Sequence, residues 1–403
     1  MDSPNRKLTA DITSAWFPLV PRPRPACLPL EARVARVRDL AHLAAQDTNE
    51  SLARAAEAQN LAALIMSDCG LPDRARTLCR QQARVFLTAR SLATATAKLA
   101  LEPLVNLARL LIRDGDGNGA YHLLDSLFKA IKCRSDVVID GMKVGFGDLI
   151  RDDDHREVVQ WMWTVLLADG TRALTSAGRW QDALAHLQRH KGIGQRMLDG
   201  RQVAVIASTT AGDVNDALTL LRDTVPGESW ENAVTACLIV LCRSYAHQPM
   251  GQDLTVMLER YRQHAPAPGL AVFDTRLGLS VIDAAGGVRH PGVQDIAAAL
   301  IHRTVASRDG YAAREVLAHD GCVAMLTGNQ VRELTEVLDV CALGHGSLPS
   351  GLMADLSAAV DTSEAVLSRV LTAAVGGDVV ARDNSSAGTL EGQSGGRTVD
   401  QRA

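Results

Sequence analysis

The sequence predicts an all-α fold, an α-solenoid of stacked antiparallel helical hairpins, and three observations predict it. First, a glycine followed five residues later by an alanine recurs where two apolar helical patterns meet: Gly70/Ala75, Gly115/Ala120, Gly178/Ala183 and Gly212/Ala217. Glycine closes a helix because it accepts the left-handed backbone there, and a small residue one turn into the next helix lets the pair approach closely. Second, leucines follow each alanine on the helical period: Leu78, Leu123 and Leu124, Leu184 and Leu187, Leu220 and Leu221. Third, hydrophobic residues make up 47% of the 403 residues but aromatics only 3%. That mix suits thin, closely packed helices better than a β-sandwich, which draws on β-branched and aromatic residues.

Taken in order, residues 1–25 read as a flexible arm containing Trp16, Phe17 and a Pro-Arg-Pro-Arg-Pro stretch at 21–25. Such a stretch lacks most backbone donors and favours extended polyproline conformation. The two aromatics are expected to dock either on the body of the protein or on a partner. The helical-repeat domain runs from 26 to 375. A first helix is expected at 31–46, with Val34, Val37, Leu40 and Leu43 on one face. Helices at 50–69 and 72–88 make a hairpin, Pro72 standing at a helix start where its missing N–H costs nothing. Helices at 103–113 and 118–132 make another. The 3.6 period continues at 154–177, 180–190, 195–211, 213–223, 229–246, 251–263, 270–286, 292–307, 310–326, 328–343 and 350–374, separated mostly by Gly, Pro and Asp. One stretch departs from it. Val137 to Phe146 carries β-branched residues on both sides of Asp140-Gly141, which predicts a small β-hairpin insertion near 136–147 with a type I′ turn. Residues 376–403, rich in Gly, Ser and charge, read as a disordered tail.

Whole classes of function lack support in this composition. The net charge of −4 gives no global basic field for holding nucleic acid. The short apolar stretch Ala15–Val20 is interrupted by Pro18, so the N-terminus does not read as a signal peptide. No run of about 18 apolar residues occurs, so no membrane span is expected. The eight cysteines are scattered singly, as small buried hydrophobes in a reducing cytoplasm would be. Basic residues that are nearly all arginine, with abundant alanine and glycine, fit the codon usage of a GC-rich bacterium.

Several constellations invite chemistry and are better explained by architecture. Asp114-Gly115-Asp116-Gly117-Asn118-Gly119 with Asp125 has the spacing of an EF-hand calcium loop. Yet Asp125 is a methylene short of the usual bidentate Glu, Tyr121 replaces the usual β-branched aliphatic, no second loop is present, and Gly115/Ala120 already satisfy the hairpin turn. His186 and His190 share a helix face, but no third ligand and no HExxH accompany them. Asp152-Asp153-Asp154-His155 reads as an acidic helix N-terminus. Gly145-Phe146-Gly147 and Gly192-Ile193-Gly194 do not extend to a phosphate-binding loop, and no GxSxG elbow occurs. Trp161 and Trp163 fall on different faces of one helix, with core packing the expected fate of either ring. No metal, cofactor or catalytic residue is therefore expected.

The glycines at 178 and 212 are 34 residues apart, the tetratricopeptide period, while the other spacings are 45 and 63. AGRWQDALAHL (177–187) and AGDVNDALTLL (211–221) resemble the turn and second helix of the tetratricopeptide repeat, and SDCGLPDRARTL (67–78) and RDGDGNGAYHLL (113–124) match more loosely. The family's small residue seven before the glycine is present as Ala63 and Ala108, but is Thr171 and Val205 in the other two units. The resemblance covers about residues 50–225, beyond which hairpins continue without the Gly/Ala marker. It implies a concave face built from first helices, onto which Asn60, Arg109, Arg113, Arg172 and Gln202 would project. The three arginines would favour acidic peptides or a C-terminal carboxylate. The function so implied is protein–protein interaction by a non-enzymatic scaffold, adaptor or regulatory module. The alternatives are a ligand-responsive regulator acting through a partner, and an enzyme with a site in the superhelix groove that no motif marks.

Overall fold

The structure, a computed structural model, describes the backbone of residues 16–387 and the side chains of 16–373. It is mostly helical with one tiny two-stranded sheet. The first five helices are α1 (Leu30–Ala44), α2 (Ser51–Asp68), α3 (Pro72–Leu87), α4 (Thr94–Arg113) and α5 (Gly117–Cys133). The strands β1 (Asp136–Ile139) and β2 (Met142–Gly145) follow, then α6 (Asp152–Val165), a π-helical turn (Leu166–Gly170) and α7 (Thr171–Ser176). Next come α8 (Trp180–Arg189), α9 (Asp199–Ala211), α10 (Val214–Arg222), α11 (Ser229–Tyr245), α12 (Gly251–Gln263) and α13 (Ala271–Ala284). The chain continues through α14 (Gln294–Ser307), α15 (Gly310–Leu317), α16 (Asp320–Val323), α17 (Gly328–Val340) and α18 (Ser350–Ala387).

The four marked turns share one geometry. Gly70, Gly115, Gly178 and Gly212 all have positive φ, between 70° and 95°. In each turn the glycine N–H bonds back three residues, and the next N–H bonds back five, as in Arg179 N to Leu174 O at 2.9 Å. That is the Schellman arrangement, which satisfies the last carbonyls of the helix. The alanine N–H then starts the following helix, as in Ala183 N to Arg179 O at 2.9 Å. Ala75, Ala120, Ala183 and Ala217 are all completely buried. Successive helices pack on one another, and α18 packs back on α1, α2 and α3. The chain thus returns to its start: Gly344 N bonds to Asp68 O at 2.8 Å and Gly346 N to Cys69 O at 2.7 Å.

The buried apolar residues form two clusters. One joins α1–α6 and the hairpin to α18; the other joins α8–α17 to residues 17–27, and the two divide between Ala173 and Leu174 of α7. The β-hairpin has the register Asp136↔Gly145, Val137↔Val144, Val138↔Lys143 and Ile139↔Met142. Asp140 (φ 49°) and Gly141 (φ 77°) are both left-handed, as a type I′ turn requires.

Element bounds differ from the sequence reading at several places. The helix expected at 195–211 begins at Asp199, and that expected at 328–343 ends at Val340. The helix expected at 103–113 begins at Thr94, with Pro103 inside it. Its apolar face runs unbroken through Ala97, Ala100, Leu101 and Leu104, all fully buried, and this outweighs a proline's usual cost of about 3 kcal/mol. The helix expected at 154–177 contains the π-helical turn, where Gly170 lets the Leu166, Tyr121 and His186 side chains close in; a Cβ there would sit 3.2 Å from Leu166. The helix expected at 310–326 breaks into α15 and α16, because the His319 ring Nδ1 accepts from Cys322 N at 3.0 Å and caps a new start. Finally, α18 continues past residue 376 to Ala387. The rest of the proposed tail, and residues 1–15 of the proposed arm, lie outside the described residues.

Candidate functional site

Residues 17–28, which form neither helix nor strand, lie with Trp16 against one face of the helical body, touching α9, α13, α15 and the start of α1. Phe17 and Leu19 are buried. Trp16 Nε1 donates to Asp283 Oδ2 of α13 at 3.2 Å. Gln202 of α9 is wholly buried, and its side chain makes a reciprocal pair with a single residue of the arm. Leu19 N donates to Gln202 Oε1 at 2.6 Å, and Gln202 Nε2 donates to Leu19 O at 2.7 Å. A buried amide must be satisfied; here the backbone of the arm satisfies both of its ends, with Met197 O accepting a further bond at 3.1 Å. Further along, Arg22 pairs with Asp199 at 2.8 Å, and Arg24 N donates to Gly269 O at 3.4 Å. The Arg24 guanidinium lies 4.0 Å from the Tyr311 ring centroid. The arm ends where Cys27 O accepts from Gly310 N at 3.0 Å and from the Cys341 thiol at 3.0 Å.

The five residues assigned to a concave face occupy three neighbouring settings. Asn60 and Arg109 belong to one polar chain between α2 and α4. Asn60 donates to Glu102 at 3.1 Å and accepts from Asn106 at 3.1 Å; Asn106 in turn accepts from Arg109, at 3.1 Å, and Arg109 pairs with Asp169 at 2.9 Å. Arg113 reaches a buried node at Asp68, whose carboxylate also accepts from Arg33 and from the Tyr311 hydroxyl, at 2.8, 2.5 and 2.6 Å respectively. Both Arg33 and Arg113 are held in the charged state by this carboxylate against the desolvation of burial. Arg172 and Gln202 face the arm itself.

A hollow of about 310 Å³ separates the arm from α7 and α13, lined among others by Arg22, Arg24, Arg172, Ser176, Asp199 and Arg276. Arg276 pairs with Glu315. Among the described residues neither Arg24 nor Arg172 has a carboxylate at ion-pairing distance. Arg172 is crowded by protein while its side chain still meets solvent. Burial and the neighbouring Arg276, Arg22 and Arg113, only partly offset by Asp169, pull its pKa down to about 10. Burial likewise lowers the pKa of Arg24, with Arg276 and Arg113 adding to the effect. Tyr311, Arg276 and the arm's own arginines carry no marker in the sequence, because they come from the segments before and after the Gly/Ala repeats, where no register assigns a residue to a face. Asp68 lies inside the first repeat unit but is not among the positions that the repeat register assigns to the groove.

The other constellations have structural partners. In the calcium-like loop Asp114 pairs with Arg76, Asp116 caps Gly119 N, Asn118 accepts from Arg179 and Asp125 pairs with Lys129. Asp152 pairs with Arg134, and Asp154 accepts from the Thr94 hydroxyl. The His186 and His190 rings are 4.7 Å apart, and Tyr121 is within hydrogen-bond distance of His186 Nδ1. Burial, followed by His190, lowers the pKa of His186 to about 4, so it is neutral at physiological pH. Trp161 and Trp163 are both half-buried. Among the described residues no three or more His, Cys, Asp or Glu side chains are grouped to hold a metal ion, and no helix is long and apolar enough to cross a membrane. Comparison of the chain with models of known protein families, with curated proteins and with solved structures finds no match.

Proposed function

We propose that this chain is a non-enzymatic helical-repeat protein of tetratricopeptide-like kind. On this reading it takes an extended peptide segment on its inner face and serves as a scaffold, adaptor or regulatory module. The observation that carries the reading is the reciprocal pair between Gln202 and Leu19. An amide that bonds both the N–H and the C=O of one residue recognises extended backbone whatever the side chain. The buried Phe17 and Leu19 and the anchored Trp16 then select for apolar and aromatic neighbours. Residues 16–28 are a resident occupant on this view, and a partner segment of similar character displaces them.

The test is a fluorescent peptide with the sequence of residues 16–25, titrated into the full chain carrying Phe17→Ala and Leu19→Ala to loosen the resident arm. Saturable binding is expected, together with its loss when Gln202→Ala is added. A peptide that binds neither protein, or binds equally without Gln202, sinks the reading.

A further inference from the structure

The hollow between the arm and the wall is a second, separate feature, and it does not depend on peptide capture. Four arginines, Arg22, Arg24, Arg172 and Arg276, are among the residues that line one space of about 310 Å³, which is at the small end of ligand sites. Two of the four are neutralised: Arg22 by Asp199 at 2.8 Å and Arg276 by Glu315 at 2.5 Å. The other two, Arg24 and Arg172, have no carboxylate within reach among the described residues. They come from opposite sides, Arg24 from the arm and Arg172 from α7. Each is repelled by Arg276 and Arg113, an anion entering the space would relieve that repulsion, and arginine's planar fork suits phosphate and carboxylate in particular. Burial and the neighbouring arginines lower the pKa of both groups, only partly opposed by Tyr311 and Asp309 at Arg24 and by Asp169 at Arg172. The Ser176 hydroxyl, which donates to Ala173 O at 2.9 Å, keeps its lone pairs for water or a ligand proton.

We propose that this hollow is a binding site for a compact dianion, held between Arg172 and Arg24 with Arg276 and Arg22 at its flanks. The shared chemistry is two negative charges within one small group, as in a phosphate monoester or a short dicarboxylate. An anion bridging the arm and the wall contacts both, so its binding and the docking of the arm strengthen each other by linkage. The dianion would thereby act as a clasp on residues 16–28.

The probes are inorganic phosphate and malonate, each titrated by calorimetry into the full chain at constant ionic strength set with sodium chloride. One saturable site is expected for at least one probe. The preferred probe distinguishes a phosphate site from a dicarboxylate site. Arg172→Gln and Arg24→Gln should each weaken that binding about tenfold or more, while Arg38→Gln, on the exposed face of α1, should leave it unchanged. Arg172 has no partner to lose, so its variant should fold; Arg24→Gln provides the same test independently. In hydrogen exchange, the bound probe should slow the Leu19 amide in the wild type and not in Arg172→Gln. No saturable binding of either probe overturns the proposal, as does binding that Arg172→Gln and Arg24→Gln leave intact. The peptide titration is unaffected by either result, so the two readings fail separately.

Discussion

The marked part of the chain, up to about residue 225, and the unmarked part beyond it make the same helix-ending turn with different mixtures of residues, mostly glycine in the first and mostly not in the second. In the first, four helices end on glycine at φ between 70° and 95°, and two end on Arg134 (φ 51°) and Lys191 (φ 53°). In the second, the same backbone turn is made by Gly286 (φ 87°), His247 (φ 55°) and Ala342 (φ 53°). His247 N bonds back to Ser244 O and Gln248 N to Arg243 O, the pattern seen at Gly178. A left-handed residue with a side chain costs about 1 kcal/mol or more relative to glycine. Among the described residues the largely buried His–Asp pairs lie in the unmarked part. His264 meets Asp274, and His319 meets Asp283, each at 2.9 Å. Turn geometry is therefore general in this fold, while the residue that makes it is not.

The largest expected effect lies at the node where the two parts meet. Asp68 of α2 holds Arg33, Arg113 and Tyr311 of α15 on a fully buried carboxylate. Asp68→Asn leaves a largely buried Arg33 without its counter-ion and should destabilise the protein by about 3–5 kcal/mol. Chemical denaturation should also lose its single transition if the node couples the parts. A variant of wild-type stability would mean that the return of α18 alone holds the closure.

Next come substitutions that overfill the marked hairpins. Ala183→Leu or Ala217→Leu forces a larger side chain into a fully buried position, at a cost of roughly 1–3 kcal/mol. Thermal unfolding unchanged in both would show that close approach at these alanines is not what sets the spacing. The structure explains why this part was legible in advance. Glycine and alanine are the residues that the turn and the close packing demand, so the register could be read directly from their spacing. The five residues assigned to a concave face derive from that same register. The β-hairpin was legible for the same reason, since Asp-Gly is what its turn requires. Docking of the arm's aromatics on the body is one of the two outcomes the sequence predicts, but the residues that hold the arm were not legible, because Gln202 and Asp283 lie 183 and 267 residues from their partners Leu19 and Trp16. Hydrogen bonds of such reach leave no local pattern. The turns at His247 and Ala342 were missed because neither residue type advertises a positive φ.

The two parts should also respond oppositely to pH. Burial lowers the pKa of His319, in the unmarked part, but Asp283 outweighs it and raises the value to about 10. The unfolded chain loses that proton near pH 6.5. The stability that the charged pair adds is therefore complete below pH 6.5 and disappears as pH rises through about 10, while the Cys322 N–H on Nδ1 needs the neutral ring and acts in the opposite sense. His319→Gln should lower the melting temperature at pH 6, and the gap should narrow above pH 10. His186, in the marked part, has its pKa lowered to about 4. Between pH 6.5 and 4 only the unfolded chain takes up its proton, so stability falls as the solution is acidified through that window. His186→Leu should flatten the acid limb while leaving the alkaline limb intact. Parallel pH profiles for the two variants would refute the assignment of opposite roles.

The smallest effects compare the two kinds of turn directly. At Gly178 an added Cβ meets nothing within 4 Å, so Gly178→Ala tests backbone strain alone and should cost about 1 kcal/mol. At Gly70 the same Cβ comes within 3.3 Å of the Gly346 backbone in the closing turn, so Gly70→Ala should cost more. His247 is the inverse case: it is exposed and already left-handed. His247→Gly removes the strain but also loosens the unfolded chain, which costs about 0.4–1 kcal/mol. The two nearly cancel, leaving a gain of at most a few tenths of a kcal/mol, readable in a denaturant midpoint shift without a change of slope. A clear loss of stability in His247→Gly would show that its imidazole makes a favourable contact, and that the unmarked turns are chosen for their side chains. A gain near 1 kcal/mol would show instead that this turn carries its full backbone strain, held in place by the packing of α11 on α12.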